Sequence, residues 1–377
     1  MKIQFKLLDQ RKGIIIFSSC ILFITCIVFL VHFYFMYDNN TKTTAVTDSN
    51  YLSNEQSFFD NVDDQSSLLP CPCDPSLLED IKKVESEKTV KDRTKKIETQ
   101  LPPVAVMKKV NANLLKDRVL IVATANYGMR NHVYNWIESI KRTGEKKFLI
   151  FCFDQKLYDH LCLTGHENQA TLIPEVWYHQ QVESDFKTYF SQEYRVITHS
   201  KTLVVQQLLY LDIHVLFSDV DIVWLRKDIV HYMTRLLQIR PETGVLFQQE
   251  GLNQQEINSG FYLMRSTDEM KLLLAETIEI QDSSNNTKTQ QGAMNTALNQ
   301  FNLDIRTSPI VLLDILHFPN GYVYYTLDLP NQYGIEPYIV HANYLVGEDK
   351  KQKLVSSNFW YLNDTWLDQI DKKLNMI

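Results

Sequence analysis

Glycine and proline are scarce, 11 of each in 377 residues. That excludes collagen-like and low-complexity chains, in which these residues dominate. Basic charge is also short: 38 Lys and Arg stand against 45 Asp and Glu, a formal net charge of −7. Nucleic-acid binding needs a basic face, so no nucleic-acid partner is expected. The six cysteines have no spacing that suits a zinc site. There is no G-x-x-x-x-G-K loop to cradle phosphates, which speaks against a kinase or sulfotransferase. There is no G-x-S-x-G elbow for a hydrolase either.

What the chain has in abundance is apolar sequence, 45% of residues. The longest run is "GIIIFSSCILFITCIVFLVHFYFM", from Gly13 to Met36. At about 24 residues without a charge it is long enough to cross a bilayer core. Lys2, Lys6, Arg11 and Lys12 precede it and Asp38 follows. The positive-inside rule then predicts a cytosolic tail (1–12), an uncleaved signal anchor (13–37) and a translocated remainder. A cleaved signal peptide would have a shorter apolar core ending in small residues. Residues 38–115 are polar and irregular and read as a stem; residues 116–377 read as a lumenal body. The expected location is the Golgi or endoplasmic reticulum membrane, as a single-pass type II protein. Sequons at Asn39, Asn285 and Asn363 all fall on the lumenal side. Cys71 or Cys73 in the stem is a candidate for a disulfide-linked dimer. Cys152, inside "FLIFCF", reads as a buried thiol.

Short apolar runs recur through the body: 118–125, 147–153, 214–221, 243–250, 257–265 and 337–344. Stretches with helical spacing lie between several of them. In "NHVYNWIESIKRTG", Val133, Trp136, Ile137 and Ile140 share one face. Continuous apolar strands alternating with helices predict one α/β domain, with a mostly parallel sheet covered by helices on both faces. Ligands of such sheets bind beyond the carboxyl ends of the strands. Asn126, Asp219, Asp221, Asn258 and His341 all stand at or beside apolar runs in this way.

Asp219 and Asp221, in "LFSDVDIVWLR", follow one apolar segment and precede another without a polar loop between. Either could cap a helix. The pattern suits metal binding better: paired carboxylates supply the oxygens that Mn²⁺ or Mg²⁺ favour. A cation so held can bridge a nucleotide's phosphates and neutralise charge on a departing diphosphate.

"LFSDVDIVWLR" resembles the metal-binding motif of the nucleotide-diphospho-sugar transferases, glycosyltransferase family 77. "VLIVATANYGMRNHVYNWIESIKR", "THSKTLVVQQLLYLD", "INSGFYLMRS", "QQGAMNTALN", "LHFPNGYVYY" and "VHANYLVGEDKKQKL" are similar to further blocks, in the family's order. The resemblance spans about Arg118 to Lys353. It implies a GT-A type Rossmann-like fold and transfer of a sugar, with retention, from a UDP-sugar to a glycan or glycoprotein acceptor. It implies that Asp221 ligates the metal, that Asp219 binds metal or donor ribose, and that His341 completes the ligands. Asn126, Lys201, Asn258 and Gly260 are then donor-binding candidates, and Gln291 lies near the reacting carbon. Arg130 and Lys201 are candidates to neutralise diphosphate, as is one of Lys350, Lys351 and Lys353. The chain departs from the pattern at Gln290, where related enzymes often carry an acid. A carboxylate that holds the acceptor is therefore altered or supplied elsewhere. The competing reading is a non-catalytic lumenal protein that binds nucleotide-sugar or glycan on the same fold.

Overall fold

A computed structural model describes residues 101–177, 192–284, 287–301 and 309–374, all within the compact unit Ser76–Ile377. The predicted anchor (13–37), Cys71, Cys73, Asn39 and Asn285 lie outside the described residues. Among the described residues, no helix is long and apolar enough to cross a membrane.

The expected apolar runs form strands. They are β1 (Val119–Ala125), β2 (Leu149–Cys152), β3 (Ala170–Leu172), β4 (His214–Ser218), β5 (Ile222–Trp224), β6 (Val245–Gln249), β7 (Ile257–Met264), β8 (Ile310–Leu312) and β9 (Ile339–His341). Seven build one sheet in the order β3-β2-β1-β4-β7-β6-β8. All its pairings are parallel except those of β7 with β4 and β6, so β7 alone runs against the others. The mostly parallel α/β sheet is therefore present, with one reversed strand inside it.

Helices cover both faces. They are α1 (Val104–Asn113), α2 (Arg130–Arg142), α3 (Gln155–Leu163), α4 (Gln192–Tyr210), α5 (Ile229–Ile239), α6 (Asp268–Ser283), α7 (Gln290–Gln300), α8 (Leu329–Gln332), α9 (Glu348–Ser356) and α10 (Asp364–Leu374). Alternate β1 residues point to opposite faces, as the pleat requires. Val119, Ile121 and Ala123 pack with Val133, Trp136, Ile137 and Ile140 of α2, the four residues whose spacing marked a buried face. Leu120 and Val122 join the opposite core with Val204, Val205 and Leu208 of α4 and with α6 and α7. Cys152 is a fully buried free thiol in β2.

Two boundaries differ from the sequence reading. Helix α1 falls within the segment assigned to the stem, yet Val106 and Val110 are buried in the core. Lys109 Nζ donates to Ala170 O at 2.8 Å, and Asn113 Nδ2 to Asn168 O at 2.7 Å. Two apolar residues one turn apart are a weak periodic signal, overridden here by the charged sequence before them. The run 337–344, expected in the main sheet, instead pairs antiparallel with β5 in a separate two-stranded ladder.

Candidate functional site

The chain leaves the sheet at Ser218. Its hydroxyl accepts from two indoles, Trp136 Nε1 at 2.9 Å and Trp224 Nε1 at 3.1 Å. Asp219 N then donates to Gly260 O on the neighbouring strand at 2.7 Å, and Val220 turns inward. Ile222 opens β5, whose partner in the ladder is His341. Ala342 N donates to Asp221 O at 3.0 Å. The "DVD" segment is thus strung between the main sheet and the small ladder, which explains why apolar residues resume directly after it.

Asp219, Asp221 and His341 each offer a ligand atom, all within 4.8 Å of one another. His341 Nε2 lies 3.4 Å from Asp221 Oδ1, and its Nδ1 is bonded to Gln248 Oε1 at 2.8 Å. If Nδ1 carries the proton, Nε2 is left as a lone-pair donor aimed at the carboxylates. Two carboxylates and one neutral imidazole within this span fit a divalent cation such as Mn²⁺ or Mg²⁺. Gly260 makes the closeness possible. A Cβ there would sit 2.6 Å from His341 Cε1, 2.7 Å from Asp219 Oδ2 and 2.9 Å from Asn258 Oδ1.

Each carboxylate also holds a lysine. Lys201 Nζ lies 2.8 Å from Asp219 Oδ1, and Lys350 Nζ lies 2.5 Å from Asp221 Oδ2. Burial pushes the Asp221 carboxyl up, but Lys350 and His341 outweigh it and hold the group well below the usual carboxylate range. Of the three lysines open to choice, Lys350 faces the cleft; Lys351 pairs with Asp364 at 3.0 Å, and Lys353 lies over the Tyr325 ring. Arg130 does not reach the cleft lining. It is bound by Asp371 of α10, Nη2 to Oδ2 at 2.6 Å, which removes it from the diphosphate candidates.

A cleft of about 460 Å³ opens at these residues. Asn126, Lys201, Asp219, Asp221, Asn258, Gly260, Gln291 and His341 all line it. Thr289 caps α7 by accepting from Gly292 N at 3.1 Å, which sets Gln290 and Gln291 in the first turn beside β7. Gln291 Oε1 accepts from Ser259 N at 3.1 Å. Gln290 is buried, and its Nε2 has no hydrogen-bond partner among the described residues.

The sequence reading missed Glu250. It follows β6, lines the cleft, and its Oε2 accepts from Asn258 Nδ2 at 2.5 Å and from Gln291 Nε2 at 3.1 Å. The only signal was an acid at the end of an apolar run. His132 was missed as well. It lines the cleft edge-on to Trp360, and burial, followed by the Lys350 charge, pulls its pKa down to about 4.

The UDP-galactose:fucoside alpha-3-galactosyltransferase of Dictyostelium discoideum is 26% identical over 303 residues, 70% of this chain and 45% of that protein. This chain therefore spans less than half of that relative. The UDP-D-xylose:L-fucose alpha-1,3-D-xylosyltransferase 3 of Arabidopsis thaliana is 26% identical over 291 residues, 69% of this chain and 71% of its own. Among solved structures, a galactosyltransferase bound to donor and acceptor sugar analogues has 10% identity and a TM-score of 0.39, covering 59% of this chain and 86% of that one. A model of a single family, the nucleotide-diphospho-sugar transferases, matches residues 143–355, more than half of the chain, and this protein belongs to that family.

Proposed function

We propose that the protein is a metal-dependent retaining glycosyltransferase that moves a sugar from a UDP-sugar to a glycan or glycoprotein acceptor in the secretory pathway. The observation that carries this reading is the cluster of Asp219, Asp221 and His341 interleaved with Lys201 and Lys350 in one cleft. Such a set is charge-balanced by itself, two carboxylates against two ammonium groups. It can exchange partners: the carboxylates take a cation and the lysines take a diphosphate. The activities of the two relatives named above make UDP-galactose and UDP-D-xylose the first donors to test, and fucosides the first acceptors.

Asp219, Asp221 and His341 would hold Mn²⁺ or Mg²⁺, which when bound supplies Lewis-acid neutralisation of the diphosphate. Lys201 and Lys350 place positive charge where the leaving UDP gains negative charge. Gly260 lets the substrate approach β7 closely. Asn258 and Gln291, oriented by Glu250, border the sugar. Retention is supported by the family alone. Front-face departure and attack suits these residues, since the one extra carboxylate lining the cleft among the described residues, Glu250, already accepts from two amides. The anchor at 13–37 would put the body in the Golgi lumen; a mature protein beginning beyond Tyr37 would overturn that.

The test is UDP release by the full-length protein with UDP-galactose and UDP-xylose over a Mn²⁺ titration. Asp221→Asn keeps size but loses a charge, and turnover should fall by orders of magnitude, roughly 10²-fold or more, with the fold intact. His341→Ala should be milder and partly rescued by added Mn²⁺. Near-wild-type turnover by folded Asp221→Asn, or indifference to EDTA, would end this reading. Binding of UDP-sugar without any release would favour the non-catalytic alternative.

A further inference from the structure

Three segments that meet at the cleft are fastened to one another. Asn320 Nδ2 donates to Gln249 O at 3.1 Å and to Gly251 O at 3.0 Å, and its Oδ1 accepts from Val323 N. Gly321 N donates to Asn343 Oδ1 at 2.6 Å. Residues 249–251, 320–323 and 343–344 therefore form one wall. On this wall Tyr344 lines the cleft although its side is 54% exposed, and its backbone is left-handed, φ 61°. A bulky residue held at positive φ is costly and marks a position fixed by its surroundings. Tyr322 packs against it, ring centroids 5.8 Å apart. Gly251, itself at φ +52°, passes close to the phenol tip: a Cβ there would lie 3.2 Å from Tyr344 Oη.

From this aromatic wall a chain of contacts leads to the cation cluster. Glu250 precedes Gly251 and accepts from Asn258 Nδ2; Asn258 Oδ1 accepts from Gly260 N; and Gly260 O accepts from Asp219 N. Tyr344, about half exposed, and Glu250 line the same cleft, and an aromatic ring and a carboxylate in one cleft have a specific chemical complement. The face of a pyranose is a row of C–H bonds with partial positive charge, which suits the negative face of an aromatic ring. Its hydroxyls are donors for a carboxylate. A nucleotide's negative charge suits Glu250 poorly.

We infer that Tyr344, buttressed by Tyr322, is the platform on which the terminal neutral sugar of the acceptor stacks. This deepens the proposed transferase reading and rests on it only for the word acceptor, since sugar binding can be measured without turnover. The experiment is saturation-transfer NMR on the full-length protein with methyl α-fucoside, methyl β-galactoside and methyl β-xyloside, each with and without UDP and Mn²⁺. Wild type should bind at least one glycoside. Tyr344→Ala should weaken that binding about tenfold, Tyr344→Phe should retain it, and Tyr322→Leu should fall between. UDP affinity, followed by thermal shift, should fall less than glycoside affinity. The inference is overturned if wild type binds none of the three, if folded Tyr344→Ala binds like wild type, or if Tyr344→Ala loses UDP instead. Failure of wild type to bind UDP would strike the transferase reading alone, leaving the platform to be judged by the glycosides.

Discussion

Gly260→Ala adds a single methyl group, and the structure states what that methyl would meet. Its Cβ would lie 2.6 Å from His341 Cε1, 2.7 Å from Asp219 Oδ2 and 2.9 Å from Asn258 Oδ1. Carbon atoms in contact ordinarily sit about 3.5–4.0 Å apart, so His341 must retreat by roughly 1 Å. None of the three neighbours is a loose chain end. His341 is held by Gln248 and by the β5–β9 ladder, Asp219 by Lys201 and the Gly260 carbonyl, and Asn258 by Glu250. Overpacking of this kind costs about 1–3 kcal/mol. For a domain of this size each kcal/mol lowers Tm by about 2–4 °C. Activity should suffer far more, because a misplacement of about 1 Å can cost on the order of 10²-fold. The matched control is Gly244→Ala, whose nearest neighbour would be the unbranched Met270 side chain, Cε at 2.9 Å, Cγ at 3.0 Å and Sδ at 3.1 Å, away from the cleft. UDP release and Tm should be measured for both. Equal activity losses in the two variants, or full activity in Gly260→Ala, would refute the claim that this glycine makes room for the cluster.

Two further outcomes can be checked with the same assays. Asp371 of α10 accepts from Tyr127 Oη at 2.9 Å, His160 Nε2 at 2.9 Å and Arg130, so Asp371→Asn should destabilise by about 1–3 kcal/mol. Burial raises its carboxyl pKa, but the bonds from Arg130, Tyr127 and His160 prevail and lower it. The unfolded chain thus takes up this proton near pH 4, before the native state does, and acid favours unfolding. The stability gap between wild type and Asp371→Asn should be complete at neutral pH and close as pH falls below about 4; a gap independent of pH in chemical denaturation would contradict the ionised pairing. Glu250→Gln keeps the shape but removes the charge that holds Asn258 and Gln291. Turnover should drop about tenfold with little change in Tm, and unchanged turnover would remove Glu250 from the machinery.

Much of the cleft was legible because its residues sit where apolar runs end. Asp219, Asp221, Asn258 and His341 stand out as polar groups at the limits of buried segments, and the close approach of the main sheet to the β5–β9 ladder brings those limits together. Gln291 and Lys201 were reached by resemblance, not by periodicity. What the sequence could not show were relations set by long-range pairing. The reversal of β7 leaves no trace in its composition, since a strand buried on both faces reads the same in either direction. Arg130 looked available to a phosphate because its partner, Asp371, is distant in sequence. Lys350 could be separated from Lys351 and Lys353 only once α9 was placed, since helical phase and docking decide which side chain faces the cleft. Glu250 was hidden by ordinariness: an acid after a strand means little until two amides are found pointing at it.

The ladder of β5 and β9 has only three paired positions, Ile222 with His341, Val223 with Val340 and Trp224 with Ile339. It nevertheless acts as a gauge block between the two halves of the candidate metal site. A slip of one residue would turn His341 to the opposite side. As long as the three pairs form, and Gln248 and Gly260 keep their places beside them, the spacing of His341 from Asp221 is held. The surface of α5, which packs away from the cluster, could be exchanged without retuning the cation site, whereas β6, β7 and the first turn of α7 could not, since they carry Gln248, Gly260 and Gln291. The intervening segment includes the wall that carries Tyr322. On the proposed reading, replacing the Tyr322 side chain alone should alter acceptor choice and leave metal dependence as it was, whereas exchanging residues 315–330 as a block should disturb both, since Phe318 O and Pro319 O accept from Gln248 Nε2 and Pro319 O accepts from His341 N.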